Sequence, residues 1–244
     1  MFEMLLIEGL AIGACYGLFG VAVAIIYKTS DVVNFAQGEM GMLATFVAYH
    51  IMTAYGWPFY IAFPATLLFA ILLGMAIEIC FLRPAKEPTA LGLLILTLGA
   101  EMLLMGLAGW KWGAEQKDFP FFLSVNKNVE IFPGFALNEW TIGVFLLTAV
   151  IMVLLFLFFR YSKLGIAMRA TQQNENAAKI MGIKVERVFS ITWGMSSLIG
   201  ALAAMFFAAR SVLDPNFMME PFMRAFAAAV LEGSPAFRAL SSAA

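Results

Sequence analysis

Polar residues are scarce enough in this chain to be taken one cluster at a time. The densest is Asp31-Val-Val-Asn34-Phe35-Ala-Gln37-Gly38-Glu39-Met-Gly41, between two long apolar runs. At such a boundary these side chains have two uses. Asn34 or Asp31 can cap the next helix, with Glu39 near its positive end. Alternatively the segment is broken or re-entrant and lines a polar path, since irregular backbone persists in a bilayer only where protein or water satisfies it. Residue chemistry leaves both open. The second feature is Glu101, the one charge in the apolar run 91–109, with Thr97 one turn earlier on the same helical face. A carboxylate there is either protonated and hydrogen-bonded within the bundle or turned towards a water-filled cavity. Glu8 and Glu78 lie nearer helix ends, where snorkelling to the interface accounts for them.

The third feature is the segment 160–187. Its stretch from Ala167 to Ile183 reads as helix, with Ala177, Ile180 and Met181 forming a small apolar ridge and Gly182 placed as a C-terminal cap. Such a ridge either docks a partner or rests on lipid. Other chemistry is excluded by what is missing. No GxxxxGK[ST], GxSxG or HExxH motif occurs, so the chain carries neither a nucleotide-binding P-loop nor a recognisable catalytic set. Cys15 and Cys80 sit in apolar runs as small hydrophobes, and a single histidine, His50, argues against zinc, haem or iron–sulfur cofactors. No metal site and no cofactor are expected.

The elements that hold these residues follow from composition. Hydrophobic residues make up 62% of the 244 and charged residues 13%, against roughly 25% charged in soluble domains. A surplus of that size needs an apolar solvent. The net charge of −1 gives no reason to expect a nucleic-acid partner. Met1-Phe2-Glu3 lacks a positive n-region, so no cleavable signal peptide is expected. A span needs about 20 mostly apolar residues. Uncharged runs place helices near 5–27, 34–54, 58–82, 89–109, 140–159 and 188–209, with a partial one from 222. The expectation is an all-α membrane protein, a polytopic bundle of about seven transmembrane helices forming one transmembrane domain over residues 1–244. Gly13 and Gly17 fit a small-xxx-small packing face.

Orientation follows from the loops. Lys28, Arg83, Lys86, Arg160, Lys163, Arg169, Lys179, Lys184 and Arg187 fall on one side, whereas Lys111, Lys117, Lys127, Arg210 and Arg224 are spread over the other. The first side is read as cytoplasmic and the N-terminus as outside. The outer loop 110–139 holds Trp110, Trp112, Phe119, Phe121, Phe122, Phe132 and Trp140, a density that suits a loop lying on the headgroup region.

At these residues the sequence resembles the membrane permeases of bacterial branched-chain amino acid ABC importers, the LivH-like group in particular. Three segments carry the likeness in order: Asn34-Phe35-Ala-Gln37-Gly38-Glu39, where the family usually has His at the position of Gln37; Leu94-Ile95-Leu96-Thr97-Leu98-Gly99; and Gly165-Ile-Ala-Met168-Arg169-Ala170 followed by Asn174-Glu175-Asn-Ala177-Ala178 and Met181-Gly182-Ile183. The resemblance covers about residues 5–232. Glu175, Ala177, Ala178 and Gly182 look like the coupling motif of such importers, departing from it by the insertion of Asn176.

The resemblance implies a multi-pass bacterial inner-membrane subunit, not an enzyme. Two cytoplasmic ATPase subunits would dock on the 160–187 loop, at Arg169, Asn174, Glu175, Ala177, Ala178 and Gly182. A second permease, the same or different, would complete the pathway. A periplasmic substrate-binding protein would deliver branched-chain amino acids or a related small polar solute to the outer face. Asn34, Gln37, Glu39, Thr97 and Glu101 are the candidates for lining the path. After Leu231 the sequence departs from the family's Gly-rich continuation, which reads as a truncated or frame-shifted permease. Two other functions fit the residues: an ion- or proton-coupled secondary transporter using Glu101, and a truncated permease without transport activity.

Overall fold

A computed structural model describes residues 2–30, 33–85, 89–125, 127–132 and 135–233. The suggested cap Asp31, the loop lysine Lys86 and the sequence after Gly233 lie outside them. The described chain is helical apart from one hairpin: α1 (Phe2–Ser30), α2 (Gln37–Ala54), α3 (Phe59–Ile77), α4 (Ala90–Trp112), β1 (Asn128–Phe132), β2 (Phe135–Asn138), α5 (Glu139–Tyr161), α6 (Lys163–Gln173), α7 (Glu175–Ile180), α8 (Val185–Ala208) and α9 (Met219–Gly233). Among the described residues, five helices are long and apolar enough to cross a membrane: α1, α3 with its continuation to Leu82, α4, α5 and α8. The other two in the expected count are shorter: α2 carries Gln37, Glu39 and His50 in its 18 residues, and α9 is described over 15.

Helix boundaries follow local chemistry. Gly56, at φ +64°, turns the chain and Pro58 opens α3. The side chains of Thr89, Asn138, Ser162 and Asn174 each accept a backbone N–H at the start of α4, α5, α6 and α7. These caps satisfy donors that a helix start leaves without partners.

Helix α8 is the centre of the bundle and packs against α1, α2 and α3. Its sequence explains why. Gly194, Ser196, Ser197, Gly200, Ala201, Ala203 and Ala204 keep it narrow, so neighbouring backbones approach closely. A Cβ on Gly74 of α3 would lie 2.4 Å from the Trp193 carbonyl oxygen, and one on Gly41 of α2 would lie 3.0 Å from Ala204 Cβ. By contrast, nothing lies within 4 Å of a Cβ built on Gly13 or Gly17. The small-residue contact is therefore made by Gly41, Gly74, Gly194 and Gly200, and the expected packing face on α1 borders a groove instead. Helix α5 is the opposite case to α8: 11% of its most apolar window is buried, against 78% for α8.

The outer loop also differs from expectation. β1 and β2 form an antiparallel hairpin in register Asn128↔Asn138, which the aromatic content of the loop concealed. Most of the described loop aromatics turn inward rather than lying flat. Trp140 is buried and donates through Nε1 to the Phe206 carbonyl at 2.9 Å. Phe121 packs edge-on to both Phe59 and Phe206. Only Trp110 and Phe122 stay largely exposed. Paired backbone bonds between Lys117 and Leu213 tie this loop to the segment after α8.

Candidate translocation site and coupling loop

The connector from α1 to α2 enters the bundle core. Asn34 and Gln37 are buried to within 1%, Glu39 to within 5% and Thr97 completely. Asn34 does not cap α2, whose N-cap is Ala36 without a side-chain bond. Its Oδ1 instead accepts from Ala36 N at 3.1 Å, closing an Asx turn, and its Nδ2 donates to Gln37 Oε1 at 3.0 Å. The Gln37 amide then reaches across to α8. Nε2 donates to the Ser196 carbonyl at 3.1 Å. The Ser196 hydroxyl, with one proton to give, lies 2.7 Å from the Ala22 carbonyl of α1 and 3.1 Å from Gln37 Oε1. The Gln37 amide thus joins α2 to α8, and the Ser196 hydroxyl extends the link to α1. It fits because position 200 is glycine: a Cβ there would sit 2.5 Å from Gln37 Nε2.

On the other side of the connector, the Thr97 hydroxyl lies 3.2 Å from the Val33 carbonyl and 2.9 Å from that of Leu94, which fixes α4 to the same loop. Glu101 is half-buried one turn further along α4, which packs against α2. The structure therefore brings all five path candidates to one region where α1, α2, α4 and α8 meet. Ser196 and Gly200 belong to it as well. The Ser196-Ser197 pair within the otherwise apolar stretch 193–208 was the signal available for Ser196.

A second polar centre lies at the C-terminal end of α3. The last turn widens into a π-helix over Glu78–Leu82. Glu78 does not snorkel. It is 3% exposed, accepts from Arg83 Nη2 at 3.0 Å and from the Ser190 hydroxyl of α8 at 2.7 Å. Arg83 Nη2 also reaches the Glu186 carbonyl at 3.4 Å. A buried carboxylate needs such a set of donors. Near the N-terminal end of α1, Glu8 likewise has partners, Arg210 at 3.1 Å and Asn138 Nδ2 at 3.2 Å. Nearby, the exposed Lys127 ammonium is held above its usual pKa by its hydrogen bond to the Glu139 carboxylate.

The 160–187 segment is two helices rather than one. Asn174 (φ −161°, ψ 106°) ends α6, and its Oδ1 accepts from Ala177 N at 2.9 Å to start α7. Asparagine competes with the helix in this way through its own side chain. Gly182 at φ +83° closes the unit, a conformation that favours glycine. Ala178 is buried and anchors α7, while Ile180 and Met181 stand 85% and 81% exposed. Glu175 pairs with Lys179 at 2.6 Å across one turn. Arg169 is exposed on α6.

The fold is that of a polytopic helical membrane protein. The sequence profile of the family described as branched-chain amino acid transport system, permease component, matches residues 5–243, and the chain belongs to that family. It is 27% identical over 240 residues to the high-affinity branched-chain amino acid transport system permease protein LivH of Escherichia coli (strain K12), covering 93% of this chain and 77% of that protein. It is 26% identical over 239 residues to the corresponding protein BraD of Pseudomonas aeruginosa, covering 93% and 78%. The xylose/arabinose import permease protein XylH of Sulfolobus acidocaldarius is 29% identical over 143 residues, 58% of this chain and 38% of that protein. No solved structure matches the chain.

Proposed function

We propose that this permease is the translocation subunit of an ATP-driven importer for branched-chain amino acids or a related small polar solute. It would work with two cytoplasmic ATPase subunits, a second permease and a periplasmic substrate-binding protein. The observation that carries this reading is the α6–α7 unit. Two large apolar side chains, Ile180 and Met181, project into solvent from a helix anchored at Ala178 and closed by Gly182. Exposed apolar groups on a rigid, capped element suit a protein partner. The chain has no P-loop, so ATP would be bound on that partner.

In this reading Asn34, Gln37, Glu39, Thr97 and Glu101 belong to the region that changes packing as the path opens to one side and then the other. The hydrogen bonds of Asn34, Gln37, Thr97 and Ser196 hold this region together in the state seen, and solute release requires some of them to exchange. ATP can drive that exchange only if the ATPase pair binds the two states with different affinity. The substrate is inferred from LivH and BraD, whose names specify branched-chain amino acids. XylH, named for sugars, marks the range that such permeases span.

The test is co-purification from the native membrane. An ATPase pair and a second permease should accompany the chain, and Ile180→Ser/Met181→Ser should lose the ATPase while keeping its helicity and elution volume. Purification of the folded chain alone, or ATPase retention by the double variant, contradicts the proposal.

A further inference from the structure

A groove of about 950 Å³ runs along one side of α1, walled by α5, α6 and α9. Its floor is Gly13, Gly17 and Gly20 of α1. Each glycine leaves out a side chain where a helix would ordinarily fill the space, and at Gly13 and Gly17 no neighbour approaches within 4 Å of a Cβ position. Phe156 and Phe159 of α5 form one apolar wall. From Gly13 to Lys28 the groove extends about 22 Å along the helix axis at 1.5 Å per residue. That takes it from near the middle of α1 to its inner end, roughly the depth of one leaflet.

The inner end is chemically different. Lys28 of α1, Arg160 at the end of α5 and Arg169 of α6 all line it, and among the described lining residues there is no Asp or Glu. All three cations are exposed. They come from three separate elements, so a run of basic sequence does not account for their meeting. An apolar slot one leaflet deep, ending in a cluster of cations, has the polarity of an anionic amphiphile.

We propose that this groove binds an anionic phospholipid, with an acyl chain along the glycine floor and the phosphate at Arg160, Arg169 and Lys28. The bound lipid would hold α6 against α1 and α5 and so set the position from which α7 projects. Clustered Lys and Arg next to a span attract acidic headgroups through charge, and the slot adds a contact for the chain that a surface patch lacks.

The experiment is native mass spectrometry of the full-length chain, released from mixed micelles containing equal amounts of phosphatidylglycerol and phosphatidylcholine. A phosphatidylglycerol adduct should persist and a phosphatidylcholine adduct should not. Retention should fall about fivefold for each arginine removed in Arg160→Gln or Arg169→Gln, and about thirtyfold for both. Arg169→Lys should restore most of it. Lys163→Gln/Lys184→Gln removes the same charge outside the groove and should leave retention intact, and Gly17→Leu, which fills the floor, should abolish it with the arginines present. Circular dichroism and elution volume confirm that each variant compared is folded. Equal retention of the two lipids overturns the proposal, as does an unchanged adduct in the folded double-arginine variant. Displacement by millimolar inorganic phosphate would show a free-anion site, and a dimer that excludes lipid would show that a second copy fills the groove; either overturns it too.

Discussion

At the residue scale, Gln37 is the most constrained side chain in the core. Its amide bonds Asn34 in the connector and Ser196 on α8, and the space it occupies exists because residue 200 lacks a Cβ. Gly200→Ala should therefore force the amide out of its bonds and destabilise the protein by about 2 kcal/mol, the cost of leaving buried polar groups unpaired. Gln37→Ala should cost a similar amount, but Gly200→Ala in that background should cost much less, because the clash has been removed. Thermal unfolding of the four proteins in detergent measures the coupling. Additive losses would mean that the contact between positions 37 and 200 carries no energy. Glu78 offers a second test. Glu78→Ala leaves Arg83 and Ser190 without their shared acceptor, and a loss of about 2 kcal/mol is expected, below the full range for a broken buried pair because Arg83 is partly solvated.

At the scale of elements, two glycine populations separate by what surrounds them. Gly74→Ala pushes a methyl into the Trp193 backbone and Ser197. The expected loss is about 1–3 kcal/mol, since backbone cannot move aside as a side-chain tip can. Gly13→Ala meets open space and should leave stability unchanged within about 0.5 kcal/mol. A reversal of that order would contradict the packing of α3 on α8. Helix α7 has its own weak point. Asn174→Ala removes the cap and should cost about 1 kcal/mol locally. The loss should appear as faster amide hydrogen exchange confined to α7, with α8 unaffected.

At the scale of the whole molecule, the distribution of charge predicts orientation. In a Cys15→Ala/Cys80→Ala background, Asn128→Cys on the hairpin should react with a membrane-impermeant maleimide in right-side-out vesicles. Lys163→Cys on α6 should react only after the membrane is opened. The reverse pattern would invert the topology and move the α7 docking surface to the outside. The arrangement of burial around α8 and its absence around α5 also divides the bundle into a protein-packed side and a side left for lipid or another subunit.

The apolar runs, the basic loops and the three motifs determined the class of fold, the positions of the long helices and the family. Those features depend on composition and local spacing, which a bilayer enforces strongly because every backbone polar group must be satisfied within the helix. Asn174 and Gly182 were legible as boundary residues for the same local reason, although the sequence pattern read one helix where the Asn174 cap makes two. Which polar residues meet was a different matter. Gln37 and Ser196 are 159 positions apart in the chain, and Glu78 meets Ser190 only because α3 and α8 pack at Gly74. The glycine pattern of α1 is equally consistent with a packed face and an open groove until neighbouring helices are placed. Contacts of that kind depend on how close two backbones come, and the tertiary structure alone decided them.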